Sequence, residues 1–227
     1  MLIQLKIDVP QHTFLKNPQE SKLGEQIFQQ GIVLMNDLGF EQFTFKKLAI
    51  QISSSEVSIY RYFESKHHFL QYLFAWYWGL VEHKIHFATV NLNETKEGLD
   101  KAINILLWNE AVNNMEFQHE KELKEIIKNE GFKAFLIKNI DQVNSLGVFE
   151  NYKKIVDHLS NWLIDLCPEY PYPKILISNI IEGSIVQDFY SEHLPRLTNT
   201  IDGKCQSANY FLNIYEQVFK DYGRSNK

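Results

Sequence analysis

Cysteine is nearly absent from this chain. Cys167 and Cys205 are the two among 227 residues, too few for a disulfide framework and in keeping with a reducing compartment. Proline (6) and glycine (10) are also scarce. That excludes collagen-like and proline-rich linker architectures and leaves long unbroken stretches that favour helix. The longest strictly apolar run, around Phe74–Val81, is about eight residues, far short of the roughly 20 that a membrane span requires. The opening MLIQLKIDVP lacks the basic start and continuous apolar core of a signal peptide, so a cytoplasmic protein without membrane contact is expected. Positive charge is in deficit: 23 Lys and Arg against 28 Asp and Glu give a net charge of −5. That field repels nucleic acid in bulk, which argues against a non-specific coat protein but not against a local reading surface. Gly-rich phosphate loops, Gly-x-Ser-x-Gly elbows and zinc-spaced Cys/His clusters are missing. His83 and His86 stand three apart without an identified third ligand. No metal, cofactor or catalytic group is expected, and the chain reads as a binding protein rather than an enzyme.

What is present is a globular composition, 44 % hydrophobic and 22 % charged. A chain of this length suggests one or two domains and buries about 70 % of its unfolded surface, enough to need no staple. The first nine residues alternate, with Ile3, Leu5, Ile7 and Val9 opposite Gln4, Lys6 and Asp8. This is either chance alternation in a loose arm or an edge strand that pairs with another copy of itself.

The rest reads as helix after helix. Asn17, Pro18 and Glu20 read as a cap, first position and capping-box residue for helix one, which Gly39 stops. Thr44 caps a helix to about Ile52, Ser55 caps a short one to Phe63, and Ser65 caps a long one to about Thr89. Further helices are expected at about 94–114, 116–129, 131–145, 149–166, 174–193 and 206–222. Breaks fall at the Pro-rich segment from Cys167 to Pro173, at Leu194-Pro195-Arg196 and at Asp202-Gly203.

Residues 44–63, TFKKLAIQISSSEVSIYRYF, fit a helix-turn-helix: two short helices, a tight turn, and small Ala49 at the crossing over a miniature core of Leu48, Ile52 and Ile59. In such a motif the second helix lies in the DNA major groove with its N-terminal side chains toward base edges. Residues 21–74 hold five basic and five acidic groups, so the acidic excess lies elsewhere.

Over about Ser21–Leu73 the sequence resembles the TetR family of bacterial transcriptional regulators. The resemblance rests on Gly39-Phe40, the Thr-capped helix, the serine turn, and Ile59-Tyr60-Arg61-Tyr62-Phe63-Glu64-Ser65-Lys66. It implies an all-α protein with an N-terminal three-helix helix-turn-helix DNA-binding domain at 17–66, behind an arm at 1–16. A helical effector-binding and dimerisation domain would follow at 67–227. Thr44, Tyr60 and Lys66 would then hold the DNA backbone, and Lys46 would belong to the same DNA-binding surface. Ser55, Glu56, Val57, Ser58 and Arg61 would face bases or the groove edge, and Phe63 would dock the motif on helix four. The sequence departs from the family at three places. Ser53 replaces a glycine at a position favouring positive φ. Ser54 replaces an apolar residue, and Glu56 places a carboxylate at the head of the reading helix.

The remaining helices are rich in aromatics. Trp76, His83, Phe87, Trp108, Asn109, Met115 and Trp162 are candidates to line a pocket for an apolar or aromatic effector; the plain alternative is an ordinary core. Ile181, Ile185, Phe189, Phe211, Tyr215 and Val218 form stripes on the last two helices. They serve either an internal core or, as the resemblance implies, a homodimer interface. The expected partners are double-stranded operator DNA of palindromic form, a small-molecule effector and a second copy. The alternative function is a helical small-molecule binding module with weak or lost DNA binding.

Overall fold

The computed structural model describes residues 6–92, 95–108 and 117–223. Among them are ten α-helices, a few 3-10 turns and one two-stranded hairpin, so the all-α class holds. The helices are α1 Lys22–Gln42, α2 Phe45–Gln51, α3 Glu56–Tyr60, α4 Lys66–Thr89, α5 Thr95–Leu106, α6 Glu120–Glu130, α7 Ile140–Ser145, α8 Glu150–Leu166, α9 Pro173–His193 and α10 Ser207–Tyr222. Among the described residues no helix is long and apolar enough to cross a membrane. The chain forms two compact units. The first is Met1–Leu80 with Glu116–Tyr152, and the second is Val81–Met115 with Lys153–Lys227. The unit containing the helix-turn-helix therefore extends well beyond 17–66, into α4, α6 and α7.

In the first unit, Asn17 does cap a turn, and Glu20 does close back on it. The Gln19 amide donates to Asn17 Oδ1 at 3.0 Å, and Asn17 Nδ2 donates to Glu20 Oε1 at 3.0 Å. The turn is a separate 3-10 piece, Pro18–Glu20, and α1 starts afterwards with Ser21 as its cap, its Oγ accepting from the Gly24 amide at 3.1 Å. The expected start of helix one is thus corrected by four residues. The reason is the doubling-back of the chain: a Cβ on Gly24 would lie 2.3 Å from the Pro18 carbonyl oxygen. At the other end Gly39 takes φ 72°, as a helix stop requires.

The core of this unit is an aromatic cluster. Phe69 lies at the centre, stacked on Phe43 (ring centroids 5.6 Å) and edge-on to Phe63 (4.9 Å), with Phe45 at 6.5 Å. Gly31 of α1 lets this ring approach, since a Cβ there would meet Phe69 Cζ at 2.4 Å. Every residue from Phe69 to Val81 is buried, as expected for a helix apolar on all sides.

Two expectations need correction here. Residues 6–9 form no strand among the described residues. Ile7 and Val9 are nonetheless buried and Lys6 and Asp8 exposed, so the alternation is real. The Gln19 side chain stands in for a partner strand, accepting from the Ile7 amide at 3.0 Å and donating to its carbonyl at 2.8 Å. Asn151 Nδ2 fixes the Asp8 carbonyl at 2.8 Å, and the arm is packed on its own unit. The expected helix over 131–145 is instead a 3-10 turn, Gly131–Ala134, followed by short α7. The Ala134 carbonyl is taken by Gln71 Nε2 at 3.2 Å, a tertiary bond in place of a helical one.

In the second unit, α9 and α10 pack closely because Gly183 has no side chain: a Cβ there would meet Phe211 Cζ at 2.3 Å. Tyr215 donates to Asp100 Oδ1 of α5 at 2.8 Å, and Lys96 pairs with the same carboxylate. Burial and the Asp100 carboxylate both raise the Tyr215 phenol well above its ordinary range. The α9–α10 connection holds a hairpin, Thr200–Ile201 with Lys204–Cys205, turning on Asp202 (φ 50°) and Gly203 (φ 74°). Asp-Gly with both φ positive is a strong hairpin signal, here more specific than a chain break.

Candidate nucleic-acid interface

The motif forms from local sequence signals. Thr44 Oγ1 accepts from the Lys47 amide at 3.2 Å and starts α2. Ser55 Oγ accepts from the Ser58 amide at 3.2 Å and starts α3. Ser65 Oγ accepts from the His68 amide at 3.1 Å and starts α4. Each hydroxyl used as an acceptor still holds a proton to donate, so Thr44, which is exposed, can cap its helix and bond a phosphate together. Ser55 and Ser58 share a further bond at 2.8 Å between their hydroxyls.

The turn closes through the Ser54 amide, which donates to the Ala49 carbonyl at 2.9 Å. Ser53 takes φ 51°, the left-handed conformation that glycine adopts without strain. Relief of ~1–2 kcal/mol of left-handed strain, less the ~0.5–1 kcal/mol of extra freedom that glycine loses, leaves a net gain. We expect Ser53→Gly to stabilise the fold by roughly 0.5–1 kcal/mol, read as a higher urea midpoint at unchanged slope. A lower midpoint would show that the serine side chain stabilises the turn.

Leu48 and Ile59 are fully buried beneath the crossing and Ala49 is buried in it. The outer face presents Ile50 (72 % exposed), Val57 (67 %) and Tyr60 (47 %), with Arg61, Lys46 and Lys47 also exposed. Tyr60 rests edge-on against Phe45 at 5.2 Å. Arg61 is paired with no carboxylate among the described residues. Glu56 and Ser58 are half-buried. Tyr62 points the other way: it is buried, and its hydroxyl meets Ser21 Oγ at 2.7 Å. The tail of the motif is thereby tied to the cap of α1, and Phe63 docks on α4 through Phe69 and Tyr72.

Lys66 is not directed to solvent. Its Nζ donates to the carbonyls of Phe40 at 2.8 Å and Glu41 at 3.0 Å, and lies 4.5 Å from the centroid of the Phe40 ring. Lys47 Nζ similarly donates to the Gln42 carbonyl at 2.9 Å. Two lysines therefore serve the C-terminal end of α1, where carbonyls lack helical partners and the dipole favours cations.

His67, in the first turn of α4, lies edge-on to Phe40 at 6.0 Å. Burial, then neighbouring His68, hold its pKa below the ordinary histidine value of 6.5. The unfolded chain thus takes up this proton before the folded one. The stability that neutral His67 contributes is present above pH 6.5 and lost as pH falls through its folded pKa. We expect the unfolding midpoint to drop less between pH 7.5 and 5.5 in His67→Leu than in the wild type. Parallel pH profiles would contradict this.

The aromatic effector candidates do not all fall in one unit. Trp76 is buried in the first, between Phe28 (4.9 Å) and Phe117 (4.5 Å). Its Nε1 has no hydrogen-bond partner among the described residues. His83, Phe87, Trp108 and Trp162 belong to the second unit. Phe87 is exposed and packs on His83 at 4.7 Å, and Trp162 packs on His158 at 4.4 Å. Asn109 and Met115 lie outside the described residues. Of the residues expected at a dimer interface, Ile181, Ile185, Phe211, Tyr215 and Val218 are buried within the single chain and Phe189 is half-buried. Their stripes pack α9 and α10 within their own unit. The large apolar groups left outward on these helices are Ile175, Tyr210 and Tyr222, with Tyr172 exposed at the N-cap of α9.

Solved structures with this arrangement include the fatty acid degradation regulator of Bacillus halodurans. It matches at TM-score 0.60 and 15 % identity, over 88 % of this chain and 95 % of that one. A candidate TetR-family transcriptional regulator from Vibrio parahaemolyticus matches at TM-score 0.53 and 16 % identity, over 88 % and 98 %. The chain has the TetR-like fold. The ketosteroid transcriptional regulator of Mycobacterium tuberculosis shares it at TM-score 0.52 and 12 % identity, over 91 % and 97 %. No family model and no curated protein matches the sequence. Glu130, ninety residues along the chain from Phe40, accepts from that residue's amide on the approach to the motif. No local sequence signal marks Glu130.

Proposed function

We propose that this protein is a sequence-specific DNA-binding transcriptional regulator, acting in the cytoplasm as a homodimeric repressor released by a small apolar or aromatic effector. The observation that carries the reading is the capped two-helix motif with its outer face left open: exposed Thr44, Lys46, Val57, Tyr60 and Arg61 on a buried base of Leu48, Ile59 and Phe63. Arg61 would reach a guanine or phosphate, the commonest specific use of arginine in the major groove. Thr44 and Lys46 would hold phosphates, and a twofold dimer would set two reading helices one DNA turn apart.

The surface we assign to the second copy is the groove of about 630 Å³ on α9 and α10, lined by Tyr172, Ile175, Asn179, Tyr210 and Ile214 and free of charged lining residues. Depletion of charge at an apolar centre is the composition of interface cores. For the effector, Trp76 Nε1, which has no partner among the described residues and lies between two phenylalanines, suits a ligand with an apolar body and one acceptor oxygen. Two of the structural relatives are named for fatty acid and ketosteroid regulation, in keeping with an apolar ligand.

Glu56 favours a second reading, a helical small-molecule binding module whose DNA affinity is weak, because a carboxylate beside phosphate repels. Selection of genomic fragments by the purified protein separates the two. A regulator enriches a palindromic site bound by two protomers, whereas a binding module enriches nothing while remaining folded.

A further inference from the structure

We propose that Glu130 of α6 is a positioning residue for DNA reading: its carboxylate clasps the broken end of α1 and holds the approach to Thr44 in place. The inference rests on the DNA-binding reading above. It starts from a backbone problem. Gly39 at φ 72° breaks the helix, so the Phe40 amide loses its helical acceptor and needs another. Glu130 Oε1 supplies it at 2.8 Å, from ninety residues away. A Cβ on Gly39 would lie 3.3 Å from the same oxygen, so the break and the clasp are fitted to each other.

The carboxylate is suited to this work. Its side chain is only 13 % exposed, and its other oxygen pairs with Lys133 at 2.8 Å. Lys133 also reaches Glu41 at 3.0 Å and lies 5.4 Å from the Phe40 ring centroid. From the other side Lys66 holds the Phe40 and Glu41 carbonyls. The two residues after the break are thus fixed at amide, carbonyl and side chain by α6, by the turn that follows it, and by α4. Phe43 and the Thr44 cap come next. A shift of α6 would be carried to the approach of α2 through the hydrogen bond between the Glu130 carboxylate and the Phe40 amide. Buried charge-assisted bonds of this kind lose the most when one partner is removed.

The test combines amide exchange with operator affinity, using full-length protein and the best fragment from the selection. In Glu130→Ala, exchange of the Phe40 amide should accelerate about tenfold or more while Ile32 and Met35 of α1 stay unchanged, and operator affinity should fall roughly tenfold. Glu130→Gln keeps a carbonyl acceptor and should restore both to within about threefold, a rescue that loss of bulk packing would not show. Should Glu130→Ala fail to fold, Lys133→Met decides: weakened operator binding with faster Phe40 exchange supports the clasp, and unchanged values overturn it. Rapid Phe40 exchange in the wild type would overturn the clasp itself. Faster exchange in Glu130→Ala with operator affinity unchanged would overturn its positioning role. Wild-type protein that binds no fragment would overturn the DNA-binding reading and that role with it, a failure distinct from both.

Discussion

Replacing Phe69 by alanine is expected to cost the first unit ~3–5 kcal/mol, the usual cost of emptying a phenylalanine site in a rigid core. The site has little means of collapse. Phe69 is fully buried, touches Phe43, Phe45 and Phe63, and meets the bare backbone of Gly31 on the α1 side. Those neighbours come from the α1–α2 joint, from α2, from the end of the motif and from α1, so one cavity loosens four attachments of the helix-turn-helix motif. Denaturant unfolding would show the loss as a lower midpoint, and DNA binding should vanish at temperatures where the second unit remains helical. A loss below about 1 kcal/mol would mean that the ring is peripheral to the core.

Arg61→Ala is the second large effect. It should weaken specific DNA binding by ~1–3 kcal/mol and relax selectivity at one base pair, with little change in stability. The side chain is exposed and unpaired among the described residues, so its removal leaves nothing buried without a partner. An exposed arginine that only decorates the surface would give unchanged affinity and unchanged selectivity, and that result would remove it from the interface. Lys66 makes a useful contrast. Its ammonium already donates to two carbonyls of α1, so its replacement should lower stability as well as affinity.

Local signals in the sequence translated well. The caps at Thr44, Ser55 and Ser65, the stop at Gly39 and the positive φ at Ser53 each depend on a few adjacent residues and formed as expected. The burial of α4 follows from apolar residues on every side. Asn17 and Glu20 also made their bonds, but tertiary packing of Gly24 on Pro18 turned them into a separate turn. The expected helix over 131–145 failed for the same kind of reason, a carbonyl claimed by Gln71 from elsewhere in the unit. Apolar stripes on α9 and α10 could not reveal which surface covers them, and Tyr215 and Phe211 are covered from within. Lys66 and Glu130 illustrate the remaining gap. Their roles come from partners 25 and 90 residues away in the chain, which no periodicity encodes.

The most direct test of the central claim is an anisotropy titration of the selected DNA fragment at low and moderate salt, with a scrambled duplex of equal length beside it. A reading head that holds several phosphates releases counterions, so the logarithm of affinity should fall linearly and steeply with the logarithm of salt concentration. Preference for the selected site should persist, with two protomers bound. Equal, weak binding of both duplexes by folded protein at low salt would contradict the claim and leave the TetR-like fold without a DNA-reading function.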